Sequence, residues 1–270
     1  MHYCPASTVI YNQLMRTAQL FVTCLVDTFF PEVGAATVRL LRRCGVHVEF
    51  PREQTCCGQP MFNAGLREDA RKVAEHTLRV FVEADGDIVM PSGSCAHMIR
   101  HNYVELFRQD EASRRRAEQL ASRTYELTEY LVDVLGITEF QAQWDGPITY
   151  HPTCHLHRGL QVDRAPRLLL EHVRGAELLE LPEAEDCCGF GGGFSMEHPE
   201  LSTEMLRRKI RNLEATNAPT LVVCDSGCLM HLQGGLRRSG RQRKVVHIAE
   251  VLASTQAVAE QAKWPSHDRK

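Results

Sequence analysis

The sequence predicts an α/β protein built from two tandem duplicated Rossmann-like halves, each with a mostly parallel sheet and its cysteines at the carboxyl ends of strands. Three observations lead there. Short Val/Leu/Ile runs alternate with amphipathic stretches of helical period, the pattern of strand–helix–strand units. Four cysteines recur in register, 24, 56, 57 and 95 against 154, 187, 188 and 228, with offsets of 130, 131, 131 and 133. The text around them recurs as well: "MPSGSC" (90–95) resembles "VCDSGC" (223–228), and "TYELTEYLVDVL" (124–135) resembles "KVVHIAEVLAST" (244–255). Such self-similarity marks an internal repeat.

The elements follow in order. "LFVTC" (20–24) reads as a strand, 32–44 as a helix and "VHVEF" (46–50) as a strand. A loop with paired cysteines follows, then a helix over 66–83, the strand "DIVMP" (87–91) and a helix starting near Cys95. The second half repeats this with "ITYH", 163–174, "ELLEL" (177–181), 198–215 and "TLVVC" (220–224). The mixed-sign stretch 108–123 reads as a solvated helix. The expected organisation is an extension over 1–17, a first domain over 18–140, a connector near 141–147, a second domain over 146–256 and a tail over 257–270. Met15 is the expected start, with 1–14 an addition before it.

Composition excludes several classes. A net charge of −3 gives no reason to expect nucleic acid or an anionic membrane as partner. No apolar run is long enough to span a bilayer, so direct membrane insertion is not expected. The first 17 residues lack a basic start and an apolar core, so a cytoplasmic location is expected. Thiols stay reduced there, and 11 cysteines, an odd number, argue for metal or redox chemistry over a closed disulfide framework. Cys4 and Cys44 have no counterpart in the repeat and read as incidental thiols.

The two loops "QTCCGQP" and "DCCGFGGGF" carry the chemistry. In parallel α/β sheets, loops at strand carboxyl ends form the site. The fold would therefore gather Cys24, Cys56, Cys57 and Cys95 on one edge, and Cys154, Cys187, Cys188 and Cys228 likewise. Four converging thiolates need a cation or cluster to hold them. A structural zinc usually takes Cys-x2-Cys pairs. Adjacent cysteines, with Cα atoms about 3.8 Å apart and diverging side chains, suit a single ion poorly. An iron–sulfur cluster is more forgiving, since each sulfur binds a different iron. Gly58, Gly189, Gly191, Gly192 and Gly193 let backbone pass close to such a core and turn N–H groups toward its sulfurs. Buried thiols in a tight turn, a strained Cys187–Cys188 disulfide and zinc in one site remain open at this point.

A lone cysteine, a CCG triplet and a later cysteine, twice over, resemble the cysteine-rich CCG-domain family. That family includes the cysteine-rich component of heterodisulfide reductase and the iron–sulfur component of glycolate oxidase. "FVTC", "FPREQTCCGQP", "PSGSC", "YHPTCHL", "DCCGFGGGFS" and "HIAEVL" carry the resemblance, from about Leu20 to Ala253. It implies an iron–sulfur component of a cytoplasmic complex oxidising L-lactate to pyruvate, with a ferredoxin-type iron–sulfur subunit and a third subunit as companions. In the family's fuller motif the last cysteine is preceded by another in Cys-x2-Cys; Ser92 and Asp225 stand there in this chain. The resemblance with four cysteines per half therefore implies a [4Fe–4S] cluster in each, rather than the open cluster pair of heterodisulfide reductase. Cys224 is beside Asp225, but strand alternation points it away. Two rival functions follow from the same residues: a heterodisulfide-type thiol/disulfide redox subunit and a zinc-stabilised scaffold subunit.

His151, His155 and His157 surround Cys154. Imidazole there can ligate metal, carry protons or hydrogen-bond a cluster sulfur. His155 directly follows a ligand and is the expected catalytic proton handler, because lactate oxidation needs a base for the hydroxyl proton. His157 reads as a loop residue, and His97 and His231 as packing or capping residues on helices. No flavin or nicotinamide fingerprint is visible.

Overall fold

The computed structural model describes residues 16–255. The readings for Cys4, Met15, the extension up to residue 15 and the tail from 257 fall outside those residues. In the first half, β1 (Thr17–Leu20), β2 (His47–Glu49), β3 (Asp87–Met90) and β4 (Thr124–Glu126) form a sheet of order β2-β1-β3-β4. In the second, β5 (Gln143–His151), β6 (Arg174–Leu179), β7 (Thr220–Val223) and β8 (Lys244–His247) form a sheet of order β6-β5-β7-β8. Every pairing is parallel, and equivalent strands hold equivalent places: Ala18 is opposite Asp87 as Ile148 is opposite Thr220. The fold class read from the sequence is the one observed.

The central strands are apolar because helices cover them on both faces. All four residues of β7 are buried, as are Ile88, Val89 and Met90 of β3. The amphipathic helices Pro31–Arg43, Arg67–Phe81 and Pro199–Ala215 supply that cover. Two strand positions differ from the sequence reading. The first ladder occupies Thr17–Leu20, because Cys24 already opens the helix Cys24–Phe29 and Gln54 Oε1 takes the Val22 N–H at 2.8 Å. β6 likewise lies upstream, over Arg174–Leu179, where Thr149 Oγ1 donates to Leu179 O at 2.7 Å. Among the described residues no helix is long and apolar enough to cross a membrane.

β4 and β8 are strands that the sequence reading did not assign. Each is short and its last residue caps the helix that follows. Glu126 accepts from Thr128 N at 2.7 Å and from Thr128 Oγ1. His247 accepts from Ala249 N at 3.2 Å while Glu250 returns to His247 N at 3.1 Å, a capping box. His247 Nε2 also contacts Pro91 O, 3.1 Å away in the other half. Buried apolar residues of both halves form one contiguous core. The helices Gly93–His97 and His155–Gly159 meet so closely that a Cβ on Gly93 would lie 2.6 Å from Leu156 Cβ.

Glu126 is fully buried, and that burial pushes its carboxyl up to about 8. A group whose folded-state pKa is raised gives stability that is complete below its unfolded value and is lost as pH rises through the folded one. Stability is therefore expected to fall between about pH 4.5 and pH 8, by roughly 5 kcal/mol. Glu126→Gln removes the ionisation and keeps an acceptor for Thr128. Urea denaturation across that range should show a flatter pH dependence for the variant.

Candidate metal centre

The parallel sheets place every repeated cysteine at a strand's carboxyl end. Cys24 opens a helix after β1, Cys56 and Cys57 lie in the loop after β2, and Cys95 is on the helix after β3. Cys154, the pair Cys187 and Cys188, and Cys228 follow β5, β6 and β7 in the same way. Within the first half, Cys24 Sγ is 3.7 Å from Cys56 Sγ and Cys57 Sγ is 3.3 Å from Cys95 Sγ. In the second, Cys188 Sγ is 3.1 Å from Cys228 Sγ. All eight are free thiols. The two sets line one shared cavity with about 900 Å³ of empty space, a proximity that the spacing alone did not reveal.

The loop geometry is repeated too. Gly58 donates its N–H to Cys56 Sγ at 3.4 Å, and Gly189 donates to Cys187 Sγ at 3.3 Å. Both glycines have positive φ, +85° and +91°, a region L side chains avoid. The bond pattern selects the same member of each pair as thiolate. The Cys24 thiol, helped by Cys57 and the Gly58 N–H, holds Cys56 at about 3. The Cys154 thiol, with Cys188 and the Gly189 N–H, holds Cys187 at about 2. Cys24 and Cys154, the donors, are pushed up in turn.

A Cβ on Gly189 would also lie 2.7 Å from Ser202 O. Gly189→Ala therefore combines a left-handed backbone with a backbone clash. It should cost about 2 kcal/mol or more in chemical denaturation. The backbone shift that relieves this clash should lengthen the N–H···S bond and raise the apparent pKa of Cys187, which alkylation rate against pH measures in the metal-free protein.

Several buried polar atoms around the sulfurs have no protein partner: Thr23 Oγ1, Thr153 Oγ1, Ser226 Oγ and His151 Nε2. Thr23 and Thr153 are equivalent, each one residue before the first cysteine of its set. Unmet buried polar atoms cost free energy unless something in the cavity meets them. Thiol-only donor sets, N–H groups aimed at sulfur, and unpartnered hydroxyls together fit a sulfur-rich inorganic centre in each half. One ring nitrogen of His151 lies within 4.8 Å of Cys188 Sγ and Cys228 Sγ, a grouping able to hold a metal ion.

The remaining candidates are distributed as follows. Gly191 and Gly192 line the cavity, whereas Gly193 opens the short helix Phe194–Glu197 outside it. His155 lines the cavity between Gln59, whose Nε2 is 3.3 Å from His155 Nε2, and Cys154, whose Sγ is 3.7 Å from His155 Nδ1. His97 packs its ring 5.2 Å from that of His155. His231 packs 5.9 Å from Phe190, and His157 lies 3.3 Å from both Asp163 and Glu185. Cys224 is outside the cavity, its Sγ 3.6 Å from the Tyr150 hydroxyl.

Ser92 and Asp225, read from sequence only as departures from a ligand pattern, join the two halves. Ser92 Oγ donates to Asp225 Oδ2 at 2.9 Å, Ser94 N donates to the same oxygen at 3.0 Å, and Gly227 N donates to Oδ1 at 2.9 Å. One carboxyl thus caps the helices that carry Cys95 and Cys228. The reciprocal position of the two polar residues in "PSGSC" and "CDSGC" was the available signal.

Comparison with known proteins agrees with this geometry. The CCG cysteine-rich domain family matches residues 18–100 and 148–233. "Lactate utilization protein A" of Shouchella clausii (strain KSM-K16) is 49% identical over 235 residues, 87% of this chain and 98% of the relative. "Lactate utilization protein A 2" of Bacillus cereus (strain Q1) is 45% identical over 234 residues, 87% of this chain and 96% of the relative. Among solved structures, a putative Asp/Glu racemase from Yersinia pestis aligns over 92% of this chain and 99% of its own at 14% identity and a TM-score of 0.35, too distant to bear on the site. With both of its halves matched, this chain belongs to the CCG cysteine-rich domain family.

Proposed function

We propose that this chain is the iron–sulfur electron-transfer subunit of a cytoplasmic complex that oxidises L-lactate to pyruvate. One [4Fe–4S] cluster would be held by Cys24, Cys56, Cys57 and Cys95, and another by Cys154, Cys187, Cys188 and Cys228. The observation that carries the reading is the pairing of two matched four-thiol sets across a single cavity. The lactate-utilization names of relatives 45–49% identical to it supply the substrate.

Oxidation of lactate breaks one C–H and one O–H bond, forms a C=O bond and releases two electrons and two protons. A bound cluster takes up and passes on one electron at a time. Two sites in one chain therefore match the electron count of one turnover. The pair would be received first on a partner, a ferredoxin-type iron–sulfur subunit or a third subunit, and divided here. This chain's residues hold the centres, aim N–H groups at their sulfurs and bury the second thiol of each pair, Cys57 and Cys188. His155, in the cavity wall beside Cys154, is assigned the proton-handling role.

The test is anaerobic purification with the partner subunits, followed by metal analysis. Iron and acid-labile sulfide in similar amounts, with lactate bleaching the cluster absorbance, is the expected result. Stoichiometric zinc in a colourless protein would favour the scaffold reading. Spectral change on adding a thiol or disulfide, without any response to lactate, would favour the heterodisulfide type.

A further inference from the structure

The two cysteine sets are related by the repeat, but the residues behind them are not. Aligned on Cys24 and Cys154, Phe21 of the first half stands where His151 stands in the second; both are fully buried. The helices behind the CCG loops align through their contacts with Gly58 (Ala70 and Val73) and Gly189 (Ser202 and Met205). That alignment sets Thr77 against Lys209. Thr77 is neutral and donates to Val73 O within its own helix. Lys209 is 1% exposed, and its ammonium donates to Glu183 O at 2.7 Å and Ala184 O at 3.0 Å, just ahead of Cys187.

Ala184 O also fixes the His151 ring. Nδ1 lies 3.2 Å from that carbonyl, which can only accept, so Nδ1 carries the proton. Nε2 is then left with a bare lone pair, buried and with no donor among the described residues, and one of the two ring nitrogens lies within 4.8 Å of Cys188 Sγ and Cys228 Sγ. A ring nitrogen that donates to a backbone carbonyl while its opposite nitrogen faces thiolates is the arrangement of a metal-bound histidine.

We propose that His151 Nε2 is a nitrogen donor to the metal centre of the second half, taking the place of one of its four thiols. That centre is then mixed imidazole–thiolate, while the first is thiolate only. An uncharged donor and the Lys209 ammonium both favour the reduced, more negative state, as histidine in place of cysteine raises the potential of iron–sulfur centres. The second centre would therefore be the more easily reduced of the two.

This inference rests on the iron–sulfur reading above, and its test separates the two. The complex is isolated anaerobically with 15N-histidine, titrated with reductant and examined by pulsed electron paramagnetic resonance. The expected result is directly bound nitrogen coupling on one centre only, the one reduced first. His151→Phe, which installs the residue of the first half, should abolish that coupling and lower the centre's potential toward that of its twin. His151→Asn serves the same purpose should the phenylalanine variant not fold, and the first centre's unchanged signal controls for folding in either. Iron-containing protein without such coupling, or coupling that survives both variants, overturns the nitrogen donor and leaves the electron-transfer reading standing. Protein without iron overturns both.

Discussion

Cys188→Ser should leave the protein with about half of its iron and sulfide, because a serine hydroxyl is a far poorer iron ligand than a cysteine thiolate. Cys188 is almost wholly buried, and its Sγ lies 3.1 Å from that of Cys228. No water can replace the missing sulfur without reaching the floor of the cavity. The first set should keep its metal, since its thiol–thiol contacts run only among its own members. Iron and sulfide per chain, with the resonance signal of each centre, measure the outcome. A variant that loses all its iron would show that the shared cavity makes the two centres interdependent.

The same contrast shows what the sequence could carry. The cysteine register exposed the repeat because four thiols recur in the same order at nearly constant offsets, which chance does not produce. The alternating elements exposed the parallel sheets because central strands such as β3 and β7 are buried on both faces and read as apolar runs. β4 was not legible. "TYE" is three residues long and polar at its end, because the Glu126 side chain caps the next helix. Its partner "KVVH" ends the same way at His247, so the textual likeness was visible while the element type was not.

At the site, sequence reasoning favoured His155 because it follows a ligand. The structure gives His151 the more distinctive place, and only strand register explains it. His151 ends β5, and its side chain is buried where that of Phe21, the residue after β1, is buried in the first half. A polar residue, His151, at a position that is apolar in the twin half, and a charged one, Lys209, against neutral Thr77, were the signal. Comparing the halves residue by residue, rather than cysteine by cysteine, recovers it. The shared cavity was not legible at all, since nothing in either half's spacing encodes how the halves pack.

That packing turns on Asp225, and Asp225→Ala should be the most destabilising single change among the polar residues of the cavity. Asp225 is 6% exposed, and its two oxygens accept from Gly227 N, Ser94 N and Ser92 Oγ. Alanine leaves three buried donors without an acceptor, at about 1–3 kcal/mol each before relaxation. It also removes a cap from two helices at once. Allowing for non-additivity, a loss of about 4 kcal/mol is expected, a fall in melting temperature of roughly 10 °C for a chain of this size. Ser92→Ala removes one of the three donors and should cost about 1–2 kcal/mol. The double variant should fall short of the sum, because Ser92 has already lost its acceptor when Asp225 is gone. Asparagine should rescue little, since its amide would set an N–H against the donors that meet Oδ2. Thermal denaturation of the metal-free variants gives the comparison directly. A wild-type melting temperature for Asp225→Ala would mean that the apolar contacts alone, such as Gly93 on Leu156, hold the two helices and their cysteines in place.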